Sequence, residues 1–82
     1  SLGALKSPTR VVVLHRNEPK VIKKIAGLIG EAGYNIEQMV SGSKGNYSCA
    51  IFDIATKMDR EFPLQLEAED AILKVRVIQK EA

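Results

Sequence analysis

His15, Asn17 and Asn35 are the side chains of this sequence best suited to recognising a small polar molecule. His15 and Asn17 stand two apart in His15-Arg16-Asn17-Glu18-Pro19, so in extended chain both point to one side. An imidazole donates to a hydroxyl or a carboxylate, and a carboxamide offers both an acceptor and donors. Pro19, Lys20 and Val21 read as the start of a helix, where unpaired N–H groups and the dipole favour an anion such as a carboxylate. Asn35 closes such a site with one more polar pair. A site of this kind selects by leaving groups unpaired when the wrong molecule enters. Each residue also has a plainer use: Asn17 beside a helix cap, His15 as an ordinary strand end, Asn35 as a turn former after Gly33.

Other chemistries find no support. A metal carrier of this size needs Cys-x-x-Cys, and Cys49 is the only cysteine. It lies mid-strand as a small core hydrophobe, and no internal disulfide is possible. An RNA-recognition sheet needs aromatics stacked on two central strands; the first strand has none, and Tyr47 and Phe52 lie on opposite faces of the third. No glycine-rich phosphate loop follows a strand. No nucleophile stands beside a base, so no catalytic residue is expected.

The 82 residues are 45% hydrophobic and 27% charged, which is ordinary for one small globular domain and too apolar for a disordered one. The net charge of +2 is too weak to argue for nucleic acid. Residues 1–24 carry six basic side chains against one acid, and the remainder six against nine. The basic stretch reads as a solvated helix face or as a mildly positive rim for a carboxylate. A lone cysteine and the lack of any apolar run of ~20 residues favour a reducing, cytoplasmic setting away from membranes. The opening Ser1-Leu2 suggests a piece of a longer protein, with residues 1–8 as linker or cloning remnant.

Four strands and two helices must position the candidate residues. Residues 10–15 (RVVVLH) form a β-branched run typical of a buried central strand. Pro19 suits a first helical position. Val21, Ile22, Ile25, Leu28, Ile29 and Ala32 then form one apolar stripe at helical period, which predicts a helix over 19–32 with Gly33 as its left-handed cap. Residues 34–41 read as a second strand with a bulge. Residues 42–46 (GSKGN) read as a hairpin loop, and 47–55 as a third strand, central because both of its faces are apolar. Pro63 opens a short helix using Leu64, Leu66 and Ala68, and 74–79 (KVRVIQ) is the last strand. The βαββαβ order gives two right-handed split units: a ferredoxin-like α+β sandwich, four antiparallel strands in the order 4-1-3-2, both helices on one face.

At the first strand–helix loop the sequence resembles the ACT domain, an amino-acid-sensing regulatory module. VLHRNEPKVI resembles the His-x-Asn-x-Pro-Gly-Val opening of the ACT domain that ends D-3-phosphoglycerate dehydrogenases. Gly33-Tyr34-Asn35-Ile36 resembles its Gly-x-Asn-Ile; Ser43–Tyr47 with Ile51–Ile54 resembles its short hairpin; Val75–Ile78 resembles its last strand. The resemblance implies an ACT-like regulatory domain over 9–82 that binds L-serine through His15, Asn17 and Asn35. It also implies a parent enzyme whose catalytic domain uses NAD; no cofactor or metal is expected in this stretch. Lys20 departs from the family's glycine, which lets a ligand approach the helix closely. The lysine either blocks that approach or reaches the ligand carboxylate. Two other readings stay open: a structural dimerisation module without a ligand, and an ACT domain of another enzyme such as L-serine dehydratase or one of the aspartate pathway.

The predicted fold separates the three polar residues. His15 ends the first strand, the helix runs back ~21 Å, and Asn35 begins the second strand at the far end. One chain cannot wrap them around one small molecule. Pairing the second, edge strand with its twin about a two-fold axis brings them together, and implies a homodimer with two equivalent sites.

Overall fold

The computed structural model describes residues 5–81. Its elements run β1 (Thr9–Arg16), α1 (Val21–Glu31), β2 (Ile36–Lys44), β3 (Tyr47–Ile54), α2 (Phe62–Glu67) and β4 (Ile72–Gln79). All ladders are antiparallel, in the order β2-β3-β1-β4, the arrangement predicted from the connection rules. Of the expected linker, residues 1–4 lie outside the described residues. Leu5–Pro8 hold no helix or strand, but Ser7 Oγ donates to Glu37 Oε1 at 2.6 Å and Lys80 N–H donates to Pro8 O at 2.9 Å.

The core is one layer between sheet and helices. Val11 and Val13 of β1 and Ala50, Phe52 and Ile54 of β3 share a face, fully buried against Ile25 and Ile29 of α1 and Leu66 of α2. Strand alternation places these residues, and the i, i+4, i+8 spacing of Val21, Ile25 and Ile29 places their helical partners. Among the described residues the opposite face of the sheet carries no helix. Arg10 and Asp53, paired across β1 and β3, make a two-pronged ion pair there, Nε to Oδ1 at 2.8 Å and Nη2 to Oδ2 at 3.1 Å. The Asp53 hydrogen bond holds the Arg10 guanidinium above its usual pKa.

Element ends depart from the periodicity for identifiable reasons. Val21, not Pro19, begins α1, because Lys20 adopts a left-handed conformation (φ 70°) and its carbonyl takes the first helical bond, from Lys24 N–H at 3.0 Å. The helix stops as expected at Gly33 (φ 93°): Gly33 N–H donates to Gly30 O and Tyr34 N–H to Ile29 O, the paired closure of a Schellman motif. β2 begins at Ile36 rather than at residue 34, with a register shift before Gln38 that supplies the expected bulge. The predicted five-residue loop shrinks to the turn Gly45-Asn46, because Ser43 and Lys44 continue the ladder opposite Ser48 and Tyr47. In α2, Phe62 and Leu66 are buried, whereas Leu64 is 64% exposed.

A non-glycine residue in the left-handed region costs ~1–2 kcal/mol, and glycine adds ~0.4–1 kcal/mol of unfolded-state freedom. Lys20→Gly is therefore expected to raise stability by roughly 0.5–1 kcal/mol, read as a higher urea midpoint at unchanged slope. A lower midpoint would show that the lysine side chain contributes more than its backbone costs.

Candidate functional site at the β1–α1 loop

β1 delivers His15 to the edge of the core. The ring follows Val11 and Val13 on the helix-covered face and is only 2% exposed. Its Nδ1 lies 2.8 Å from Arg16 O. A carbonyl only accepts, so Nδ1 carries the hydrogen and, in the neutral ring, Nε2 presents a lone pair. That Nε2 is buried and has no hydrogen-bond partner among the described residues. Buried polar atoms are nearly always satisfied, and each exception calls for a reason. A bulge in β4 sits beside this residue: Leu14 pairs with Lys74 and His15 with Ile72, which leaves Leu73 out of register.

Asn17 is exposed and ties the β1–α1 loop to the β2–β3 turn. Its Nδ2 donates to Gly45 O at 3.0 Å, and its backbone N–H donates to Asn46 O at 2.8 Å. The side chain does not cap α1, since the helix has no side-chain cap hydrogen bond. Arg16 Nε lies 3.2 Å from Glu18 Oε2, an exposed ion pair on the same loop.

Asn35 lies at the other end of the sheet. Its carbonyl accepts from Ala55 N–H at 3.0 Å, one step beyond the Ile36–Ile54 pair, whereas His15 sits opposite Ser48. Those positions on β3 are separated by about 20 Å at ~3.3 Å per residue. One protomer therefore brings His15 and Asn17 to the same end of the sheet and leaves Asn35 at the other. Pro19, Lys20 and Val21 line a separate cavity beside the start of α1.

Two residues near His15 escaped the sequence reading. Ser48 is 4% exposed and shares the core face with Ala50, Phe52 and Ile54; its hydroxyl is hydrogen-bonded to that of Ser43 on β2. His15, Ser48 and Ser43 thus form a polar row across β1, β3 and β2. The legible signal was a serine in phase with the apolar alternation of β3.

Residues 9–75 match the ACT domain family. The chain belongs to the ACT domain family. Its fold recurs in the ACT domain from GTP pyrophosphokinase of Chlorobium tepidum (TM-score 0.69, 14% identity, 89% of this chain and 86% of that one). It recurs in the ligand-free regulatory subunit of aspartate kinase from Thermus thermophilus (TM-score 0.69, 16% identity, 85% and 49%). The acetolactate synthase small subunit from Thermotoga maritima also shares it (TM-score 0.62, 25% identity, 84% and 45%). The ACT chain described here thus spans about half of the last two. No curated protein matched the sequence. Among the described residues no ACT-domain helix is long and apolar enough to cross a membrane, and no group of His, Cys, Asp and Glu could hold a metal.

Proposed function

We propose that this ACT domain is a sensor of a small amino acid, with L-serine the favoured ligand and D-3-phosphoglycerate dehydrogenase the favoured parent. The observation that carries the reading is His15 Nε2, a buried ring nitrogen near the end of β1, two residues before Asn17, with no hydrogen-bond partner among the described residues. An ammonium or hydroxyl is the kind of group that satisfies it. Membership of the ACT family, and a fold shared with the regulatory subunit of aspartate kinase, support a regulatory role. Catalysis and NAD belong to the parent's other domain in this reading.

The site is completed by a second copy. β2 is an edge strand, nine residues long and mostly exposed, the type of edge that invites pairing. A two-fold axis at Val40 sets Ile36 of one copy opposite Lys44 of its twin. That carries the twin's Asn35 to the Gly45 turn on which Asn17 is anchored. Ligand bridging the seam favours the paired arrangement, and through it the parent's response.

Calorimetric titration with L-serine and sedimentation of the chain test this together. L-serine is expected to bind a dimer, and Asn35→Ala, an exposed position, to weaken binding by roughly tenfold while the circular dichroism spectrum stays unchanged. Serine affinity indifferent to Asn35 would remove that residue from the site. A dimer that takes up no amino acid would favour the ligand-free dimerisation module, a reading supported by Lys20 standing at the family's glycine position.

A further inference from the structure

The sheet face opposite the helices is apolar at its centre and cationic along both edges. Strand alternation gives it Val12 and Leu14 of β1, Cys49 and Ile51 of β3, and Val40 of β2. Ile51 pairs with Val12 on one side and with Val40 on the other, and Leu14 pairs with Cys49, so these side chains form one continuous patch. Leu14 is 40% exposed and the other four are half-buried. A sheet face that meets only water carries polar residues in alternation; this one holds apolar residues on three neighbouring strands. Lys74 and Arg76, opposite Leu14 and Val12, line the β4 edge, and Lys44 stands on the β2 edge opposite exposed Tyr47. All three cations are exposed, and none has an ion pair among the described residues. Asp53, the one carboxylate that the strands place on this face among the described residues, is held by Arg10, and Arg16 pairs with Glu18 of the neighbouring loop.

We propose that this face docks an acidic amphipathic helix of a partner protein. The helix lays its apolar stripe on Val12, Leu14 and Ile51, and the Asp and Glu side chains flanking that stripe reach Lys74 and Arg76 on one side and Lys44 on the other. An apolar patch rimmed by polar groups is the usual form of an interaction surface. The dimensions suit one helix: β2 and β4 stand about 14 Å apart, three strand spacings of ~4.8 Å, and a helix with its side chains is ~10–12 Å across. Charge selects the occupant. A second copy laid face to face sets lysines and arginine against lysines and arginine in every orientation, because each unpaired charge on the face is positive, and like charges in an interface are costly. A single-stranded nucleic acid needs aromatic rings on which its bases stack; the centre of this face is aliphatic, and Tyr47 stands alone at one end. An acidic helix gives every cation a partner and covers the patch. Neither His15 nor Asn35 takes part, so the proposal stands apart from the sensor reading.

The test uses the 82-residue chain and two capped helical peptides of ~18 residues, long enough to hold a helix in water. One carries a leucine stripe with glutamate on both flanks; its twin has lysine at each glutamate position. Fluorescence anisotropy measures affinity, and amide chemical shifts locate the contact. The glutamate peptide is expected to bind saturably and to shift amides of Val12, Leu14, Ile51 and Arg76 while those of α1 hold still. The lysine twin should bind at least about tenfold more weakly, because it sets like charges together. That preference should shrink as salt rises. Lys74→Glu with Arg76→Glu, two exposed positions, should reverse it: the glutamate peptide loses at least about tenfold and the lysine twin gains. Leu14→Gln should weaken both peptides. No binding of the glutamate peptide, shifts confined to the helices, or a preference indifferent to the charge reversal overturns the proposal. Oligouridylate that binds this face while the glutamate peptide does not would make it a nucleic-acid surface instead. Self-association in sedimentation that Leu14→Gln abolishes would give the face to a second copy.

Discussion

Phe52→Ala is expected to destabilise the domain by about 3–5 kcal/mol, the usual cost of deleting a buried aromatic ring. Phe52 is fully buried on central strand β3, opposite Val11 of β1 and Met39 of β2. A ring held between strands on both sides and helices above cannot be replaced by small local collapse. Small domains sit at the low end of the ~5–15 kcal/mol range of stabilities, so this change removes much of the total. The thermal midpoint should fall by at least ~12 °C. The matched control is Leu64→Ala on the outer side of α2, which is 64% exposed and should stay within ~0.5 kcal/mol. Comparable midpoints for the two variants would show that Phe52 is not where the sheet and helices are joined. The same strand carries Ser48 beside His15. Loss of ligand response in Phe52→Ala therefore reports loss of the scaffold rather than of a contact.

The second large effect has opposite signs for stability and for binding. His15→Leu removes a buried ring nitrogen that has no hydrogen-bond partner among the described residues. Leaving a polar atom buried and unpaired costs ~1–3 kcal/mol. Arg16 O, which accepts from the ring, also accepts from Glu18 N–H at 2.9 Å and so keeps a partner when the ring is gone. The variant should be more stable than the parent chain by about 1 kcal/mol in urea, yet bind L-serine at least about tenfold more weakly. Stability given up at a site that needs an unpaired group is a familiar exchange. If stability falls and binding persists, His15 is a packing residue, and its Nε2 has no part in recognition.

Most of the architecture was legible in local patterns. The stripe Val21, Ile25, Ile29 faces the core as its period requires, and the alternation Ala50, Phe52, Ile54 does the same in β3. Strand order followed from the handedness of split βαβ units, because two right-handed crossovers leave one arrangement of four strands. Element ends were less legible, because distant partners set them. GSKGN has the composition of a loop, but the ladder to Ser48 and Tyr47 satisfies the backbone of Ser43 and Lys44 and draws both into β2. Nothing about a lysine foretells φ 70° at residue 20; the turn from β1 into α1 imposes it.

The sequence by itself determined the fold, through periodicity and turn formers that neighbours in sequence share, and it offered the polar residues at the end of β1 and in the β1–α1 loop; the likeness to the ACT domain rested on the resemblance of short motifs. Tertiary structure alone decided how the candidates are divided. It buried His15 Nε2 with no hydrogen-bond partner among the described residues, committed one donor of Asn17 to Gly45, set Asn35 at the opposite end of the sheet, and brought Glu69 to 3.8 Å from Lys24. Each of these depends on where a remote segment comes to rest. The bonds and packing involved join residues far apart in the chain, so local residue patterns carry no record of them.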